Sequence, residues 1–238
     1  ADAIERRIVS VNPSYYIMSL VMQALAVIAG IVVHESAHAL VAYLLGDRTA
    51  RSRGRVSFNP LNHIDPFGTV LLPLLMLAAG GPVFAFAKPV PVNLRNLKHP
   101  KRDELLVALA GPASNIVLAC LGAALLAVLF NSPVPVVGAT FPASEIFDFC
   151  LTLISVNLSL AFFNLIPLPP LDGSSILVPF LKGRALSTYY EIQRYAMPIL
   201  IVVLYLLPYI TGIDLIGLYF DVTVYPLYEL LVRVALGL

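Results

Sequence analysis

Long apolar runs separated by short polar stretches set the plan of this chain, and their lengths match what a bilayer demands, about 20 residues per helical crossing. The first run, Ser14 to Leu45, predicts a helix long enough to cross and continue past the interface, ending at Gly46-Asp47. A polar stretch follows from Arg48 to Pro66, where the alternation around Val56 and Phe58 predicts a short strand over 53–58. The next apolar run, 69–87, is interrupted by Pro73 and by Gly80-Gly81-Pro82 and is read as a re-entrant dip, with 88–102 kept non-helical by Pro89, Pro91 and Pro100. Leu105–Phe130 and about Glu145–Ile166 are expected to span, a short helix is expected at Ser175–Leu181, and a further span begins near Tyr195 and breaks at Gly212. The segment 215–238 carries Asp221, Pro226, Glu229 and Arg233, and its pattern fits either a span or an interfacial helix.

The expected fold class is therefore an all-α polytopic membrane protein: a helical transmembrane bundle with a small membrane-associated β/re-entrant element after the first helix. Composition agrees. Of 238 residues, 59% are hydrophobic and 12% charged, with a mean hydropathy of +0.87; soluble domains carry about 25% charged residues. The chain reads as one domain, 1–238, with a core at 14–181 and C-terminal helices at 195–238. The net charge of +1 implies no attraction to nucleic acid. Cys120 and Cys150 lie in apolar runs and behave as small hydrophobes. Lysine and arginine cluster at 48–55, 88–102 and 182–194. If 69–87 dips in and returns, all of these clusters face the cytoplasm, together with the polar end of the first helix.

That end contains His34-Glu35-Ser36-Ala37-His38. Histidines four apart share one helix face, so both imidazoles can grip one Zn²⁺, with Glu35 as general base on a water. Ionisable groups at bilayer depth are costly and mark function. A catalytic zinc ordinarily takes three protein ligands. His63 and His99 sit in polar basic segments and read as surface residues, whereas Asp172 lies where a span ends among Pro167, Pro169 and Pro170, with Gly173 next to it. Asp172 is the expected third ligand, leaving one position open. Ser174 and Ser175 lack the surroundings of a serine nucleophile and are given no role.

The order of His-Glu-Ser-Ala-His (34–38), Gly-Pro-Ala-Ser-Asn (111–115) and Asn-Leu-Ile-Pro-Leu-Pro-Pro-Leu-Asp-Gly (164–173) resembles the site-2 proteases, intramembrane zinc metalloproteases of peptidase family M50, in a short prokaryotic form. The resemblance implies a zinc held by His34, His38 and Asp172, Glu35 as catalytic base, and transmembrane proteins in the lipid bilayer as substrates. It also implies Asn115 and Asn164 near the site, serving substrate backbone or the oxyanion; for Asn115 a hydrogen bond to a neighbouring helix is the favoured alternative. The 53–58 strand would offer an edge to an extended substrate. The rival is a membrane metal-binding or transport protein that uses the same residues without hydrolysis; it requires acidic or histidine ligands on further spans.

Overall fold

The computed structural model describes residues 13–71, 75, 87–131 and 143–238. Helix α1, Pro13–Leu44, is followed by a single-turn helix α2, Thr49–Ser52. Two long helices come next, α3 (Pro100–Phe130) and α4 (Ala143–Asn164). After α4, Asp172–Ile176 and Val178–Phe180 form 3₁₀ turns. The chain then runs through α5 (Arg184–Ile192), α6 (Ala196–Ile201) and α7 (Leu207–Thr211) to the final helix α8, Leu215–Leu236.

Among the described residues, five stretches are long and apolar enough to cross a membrane: Ile17–Leu44, Pro100–Phe130, Ile146–Asn164, Arg184–Thr211 and Leu215–Leu236. The expected spans are all present, and 215–236 is one helix that runs through Pro226 without a break. Gly212, with φ of 69°, makes the left-handed turn that ends α7. The helix expected at Ser175–Leu181 is instead split into 3₁₀ turns, because Pro179 has no N–H to donate to a continuing α-helix.

The strand expected at 53–58 is not formed; the described residues contain no strand. The Ser57 carbonyl, which a ladder would need, accepts from Ser36 Oγ at 2.6 Å and from His63 Nε2 at 2.7 Å. Gly54, with φ of 69°, reverses the chain just before it. Of the 69–87 run expected to be re-entrant, only 69–71, 75 and 87 are described, and Pro66–Leu71 is a π-type turn; the remainder lies outside the described residues, as do 1–12 and the loop 132–142.

α1, α3 and α4 pack on one another, and α8 covers α3 and α4. The core between them is built from Ala119, Ala123 and Leu126 of α3, Cys150, Ile154 and Leu158 of α4, and Val224 and Ala235 of α8. Small residues are used because lipid is as apolar as leucine, so helices in a bilayer associate by close backbone approach. Beyond α1, buried Asp47 ties the chain to the segment before α3. Its Oδ1 accepts from Thr49 N at 3.0 Å and Asn96 Nδ2 at 2.8 Å, and its Oδ2 from Asn93 N at 2.7 Å.

Candidate metal centre

α1 places His34 and His38 one turn apart, both 7% exposed, with their rings edge to face and centroids 4.6 Å apart. The first 3₁₀ turn after α4 brings in Asp172. Its Oδ2 lies 3.2 Å from His34 Nε2 and 3.3 Å from His38 Nε2, and the two Nε2 atoms are 3.0 Å apart. Among the described residues this is the one group of three or more histidine, cysteine or carboxylate side chains able to surround a metal ion. The residues expected from sequence to hold zinc therefore lie together.

The opposite ring nitrogens are spoken for. His38 Nδ1 lies 2.6 Å from the Val107 carbonyl, and His34 Nδ1 lies 2.6 Å from Asn115 Oδ1. The Asn115 amide can face only one way, because its Nδ2 donates to the Gly30 carbonyl at 3.1 Å and to Asn157 Oδ1 at 2.7 Å. Both Nδ1 atoms consequently carry the proton, and both Nε2 atoms present lone pairs. Two nitrogen lone pairs then meet a carboxylate oxygen that has no hydrogen-bond partner, Asp172 Oδ2. Three electron-rich atoms this close repel unless a cation sits among them. The donor set, two imidazole nitrogens and one carboxylate oxygen, is that of a catalytic zinc site with a position open.

Local sequence makes room for this. A Cβ at Gly111 of α3 would lie 2.6 Å from His34 Nε2 and closer still to His38 Nε2, so only glycine leaves the nitrogens clear. A Cβ at Gly173 would collide with the Leu165 carbonyl, so only glycine lets the Asp172 turn close onto the end of α4.

The centre opens into a cavity of about 670 Å³, which Glu35 and Asn164 also line, with Val92, Leu160, Phe163 and Leu200 among its apolar walls. Asn164 Nδ2 donates to the Leu160 carbonyl at 2.9 Å, which leaves its second amide hydrogen available to the cavity. Asn115, read from sequence either as a substrate or oxyanion partner or as a hydrogen-bond partner of a neighbouring helix, contacts His34, the Gly30 carbonyl and Asn157. Glu35 Oε2 lies 3.8 Å from Arg55 Nη2.

His63, expected at the surface, is 1% exposed, and its Nε2 bonds the Ser57 carbonyl within the loop, the same carbonyl that accepts from Ser36 of α1; His99 is exposed, as expected. Asn157 is not among the expected site residues. Its signal is nonetheless present, an asparagine in the middle of an apolar span. Nothing in the sequence points to the Val107 carbonyl, because a backbone acceptor is chosen by packing alone.

The model of peptidase family M50 matches residues 22–135 and 130–207. "Putative zinc metalloprotease YwhC" of Bacillus subtilis (strain 168) is 38% identical over 195 residues, covering 82% of this chain and 84% of that protein. "Putative zinc metalloprotease Rip2" is 29% identical over 203 residues in Mycobacterium tuberculosis (strain ATCC 25618 / H37Rv), covering 85% and 73% of the two chains. Its namesake in Mycolicibacterium smegmatis (strain ATCC 700084 / mc(2)155) is 27% identical over 196 residues, covering 82% and 71%. No solved structure matches the chain significantly.

Proposed function

The chain belongs to peptidase family M50, and from that premise we propose that it is an intramembrane zinc metalloendopeptidase cutting transmembrane segments of other membrane proteins. His34, His38 and Asp172 hold the zinc and Glu35 is the general base. The observation that carries this reading is the convergence of His34 Nε2, His38 Nε2 and Asp172 Oδ2 within 3.3 Å of one another, beside a cavity lined by Glu35. Residues 1–238 form one peptidase domain, with the centre toward the cytoplasmic side, where the basic segments gather.

When bound, zinc supplies Lewis acidity: it makes water nucleophilic near pH ~7 and polarises a carbonyl. The protein's own groups do the rest. Asn115 and the Val107 carbonyl fix both imidazoles in the ligating tautomer. Glu35 accepts the proton of the attacking water and returns it to the leaving amine. Asn164 offers its remaining amide hydrogen to substrate backbone or oxyanion. The apolar walls receive the side chains of a substrate that has unwound locally, since a helical peptide bond is shielded by its own hydrogen bonds. The rival reading of a metal transporter finds no support: it needs further ligand clusters along the spans, and the described residues hold none.

The test pairs zinc stoichiometry with cleavage of a transmembrane substrate in liposomes. Glu35→Gln should retain zinc and lose cleavage by at least ~10²-fold, while Asp172→Ala should lose both. Retained proteolysis in the Glu35→Gln variant refutes the general base, and full zinc in the Asp172→Ala variant refutes the third ligand.

A further inference from the structure

We propose that a second cavity, floored by Arg55, binds a phosphate group. It has a volume of about 260 Å³ and is lined by Arg53, Arg55 and Lys88 together with Asn62, Leu61 and two prolines. Among the described residues, three cations and no carboxylate border it. Arg53 and Lys88 stand at its rim, while Arg55 is 3% exposed.

Arg55 is the feature that asks for a ligand. Its Nη2 donates to the Lys88 carbonyl and lies 3.8 Å from Glu35 Oε2. Its Nε and Nη1 are buried and have no hydrogen-bond partner among the described residues. A buried guanidinium with two idle donors is costly, because those two groups have given up water without gaining a partner. Glu35 offsets the charge on one side only. An oxyanion in the cavity would satisfy the idle donors, and the planar fork of arginine suits the oxygens of a phosphate.

The walls are also built rather than accidental. Gly54, with φ of 69°, reverses the chain between the two arginines, and its carbonyl is held by Asn62 Nδ2 at 3.0 Å. Arg55 N is anchored to the Ala50 carbonyl at 3.0 Å. The turn comes just after the single-turn helix α2, a short way beyond the end of α1, a helix long and apolar enough to cross a membrane, which places it where a headgroup could reach it. The phosphate therefore comes from an anionic phospholipid headgroup or from a soluble phosphate ester, which share the chemistry that these donors recognise. The site needs neither zinc nor peptide hydrolysis.

The full chain in neutral detergent is presented with phosphatidylcholine mixed with phosphatidylglycerol, and retained lipid is weighed by native mass spectrometry. In parallel it is titrated calorimetrically with glycerol 3-phosphate and with inorganic phosphate. Retention of phosphatidylglycerol alone supports the site with a headgroup as the source; binding of soluble phosphate supports it with a free ester as the source. Either signal should fall about tenfold or more in Arg55→Gln, the loss expected for a charge-assisted contact. It should fall likewise in the rim variant Arg53→Gln/Lys88→Gln, whose rim positions leave folding untouched. Zinc-stripped protein should bind equally well, which keeps this outcome apart from any failure of the peptidase reading. The proposal is overturned if neither phosphate source binds, if the rim variant binds undiminished, or if an acidic peptide binds there where phosphate does not.

Discussion

The two halves of α1 differ in sequence and in surroundings: 17–28 is apolar but for Ser19 and Gln23, whereas 30–42 carries His34, Glu35, Ser36 and His38 among its apolar residues. From Ile17 to Ile28 only Ala26 is buried, and Ile17, Leu20, Val21 and Leu25 stand exposed. From Gly30 to Ala42 the buried positions crowd together: Gly30, Val32, His34, Ser36, His38, Ala39 and Ala42. Gly30, His34 and His38 stack at four-residue spacing toward α3 and α4, while Ser36 bonds the loop after α1. The outer half is solvated by lipid and the inner half by protein. In a bilayer, hydrophobicity does not decide which helix face is buried. Small residues and polar groups decide it, because a histidine or serine in a span must find partners inside the protein.

The sharpest way to break the inner half is to fill the gap that keeps His34 and His38 clear for the proposed metal. Gly111→Ala places a methyl 2.6 Å from His34 Nε2 and closer still to His38 Nε2. The rings cannot swing aside without giving up the Val107 and Asn115 bonds. We expect zinc to be lost and cleavage to drop by on the order of 10²-fold or more, the usual result of misplacing reacting groups by an ångström. Normal zinc content in purified Gly111→Ala protein would show that the inner half is more pliant than its packing implies.

Asn115→Ala comes next. It leaves His34 Nδ1, the Gly30 carbonyl and Asn157 Oδ1 each short of a partner. Zinc affinity should fall about 10–100-fold, the range for losing the group that orients a ligating histidine. Thermal unfolding with the metal chelated should also show a loss of roughly 1–3 kcal/mol from the stranded polar atoms. Unchanged affinity in a competition with a zinc-chelating dye would remove Asn115 from the metal's supporting shell.

Legibility in the sequence follows the same division between what a residue is and what it meets. His34, Glu35 and His38 stand out because ionisable groups on one turn of an apolar helix are too costly to keep without a shared task. Asp172 stands out because prolines isolate it at the end of a span. Their supporting partners are less visible, since Asn157 and the Val107 carbonyl acquire meaning only once α3 and α4 lie beside α1. The strand at 53–58 fails for a related reason. The alternation is real as a local pattern, but Ser36 and His63 claim the Ser57 carbonyl from outside the segment. His63 likewise looks solvated by its neighbours in sequence and is covered by its neighbours in space.

Below the inner half, Asp47 fastens the end of α1 and offers a pH test outside the membrane. Burial by itself would raise its pKa, but hydrogen bonds from Thr49, Asn93 and Asn96 outweigh that and hold the carboxyl below its ordinary value. The stabilisation is thus complete above the unfolded pKa of ~3.9 and is lost as pH falls through the lower folded value. Asp47→Asn should cost about 1–3 kcal/mol at neutral pH and lose less stability than wild type on acidification below about pH 4. Parallel Tm-against-pH curves with chelator present, so that the metal plays no part, would count against this role for Asp47.

The smallest effect belongs to the outer half, and it makes the comparison quantitative. Leu20 is 47% exposed and Val21 47% exposed, on a helix long and apolar enough to cross a membrane, where such a face would meet acyl chains. Truncating such a side chain exchanges a leucine–lipid contact for an alanine–lipid contact in both folded and unfolded helices, so little folding energy changes. Leu20→Ala should shift stability by no more than about 0.5 kcal/mol, as for substitutions away from packed features, and leave zinc content at the wild-type value. Ala39, fully buried next to His38, supplies the control: Ala39→Leu forces extra volume between packed helices and should cost about 1–3 kcal/mol. If reversible unfolding in detergent gave the two variants equal losses, the outer half would have to pack against protein as closely as the inner half does.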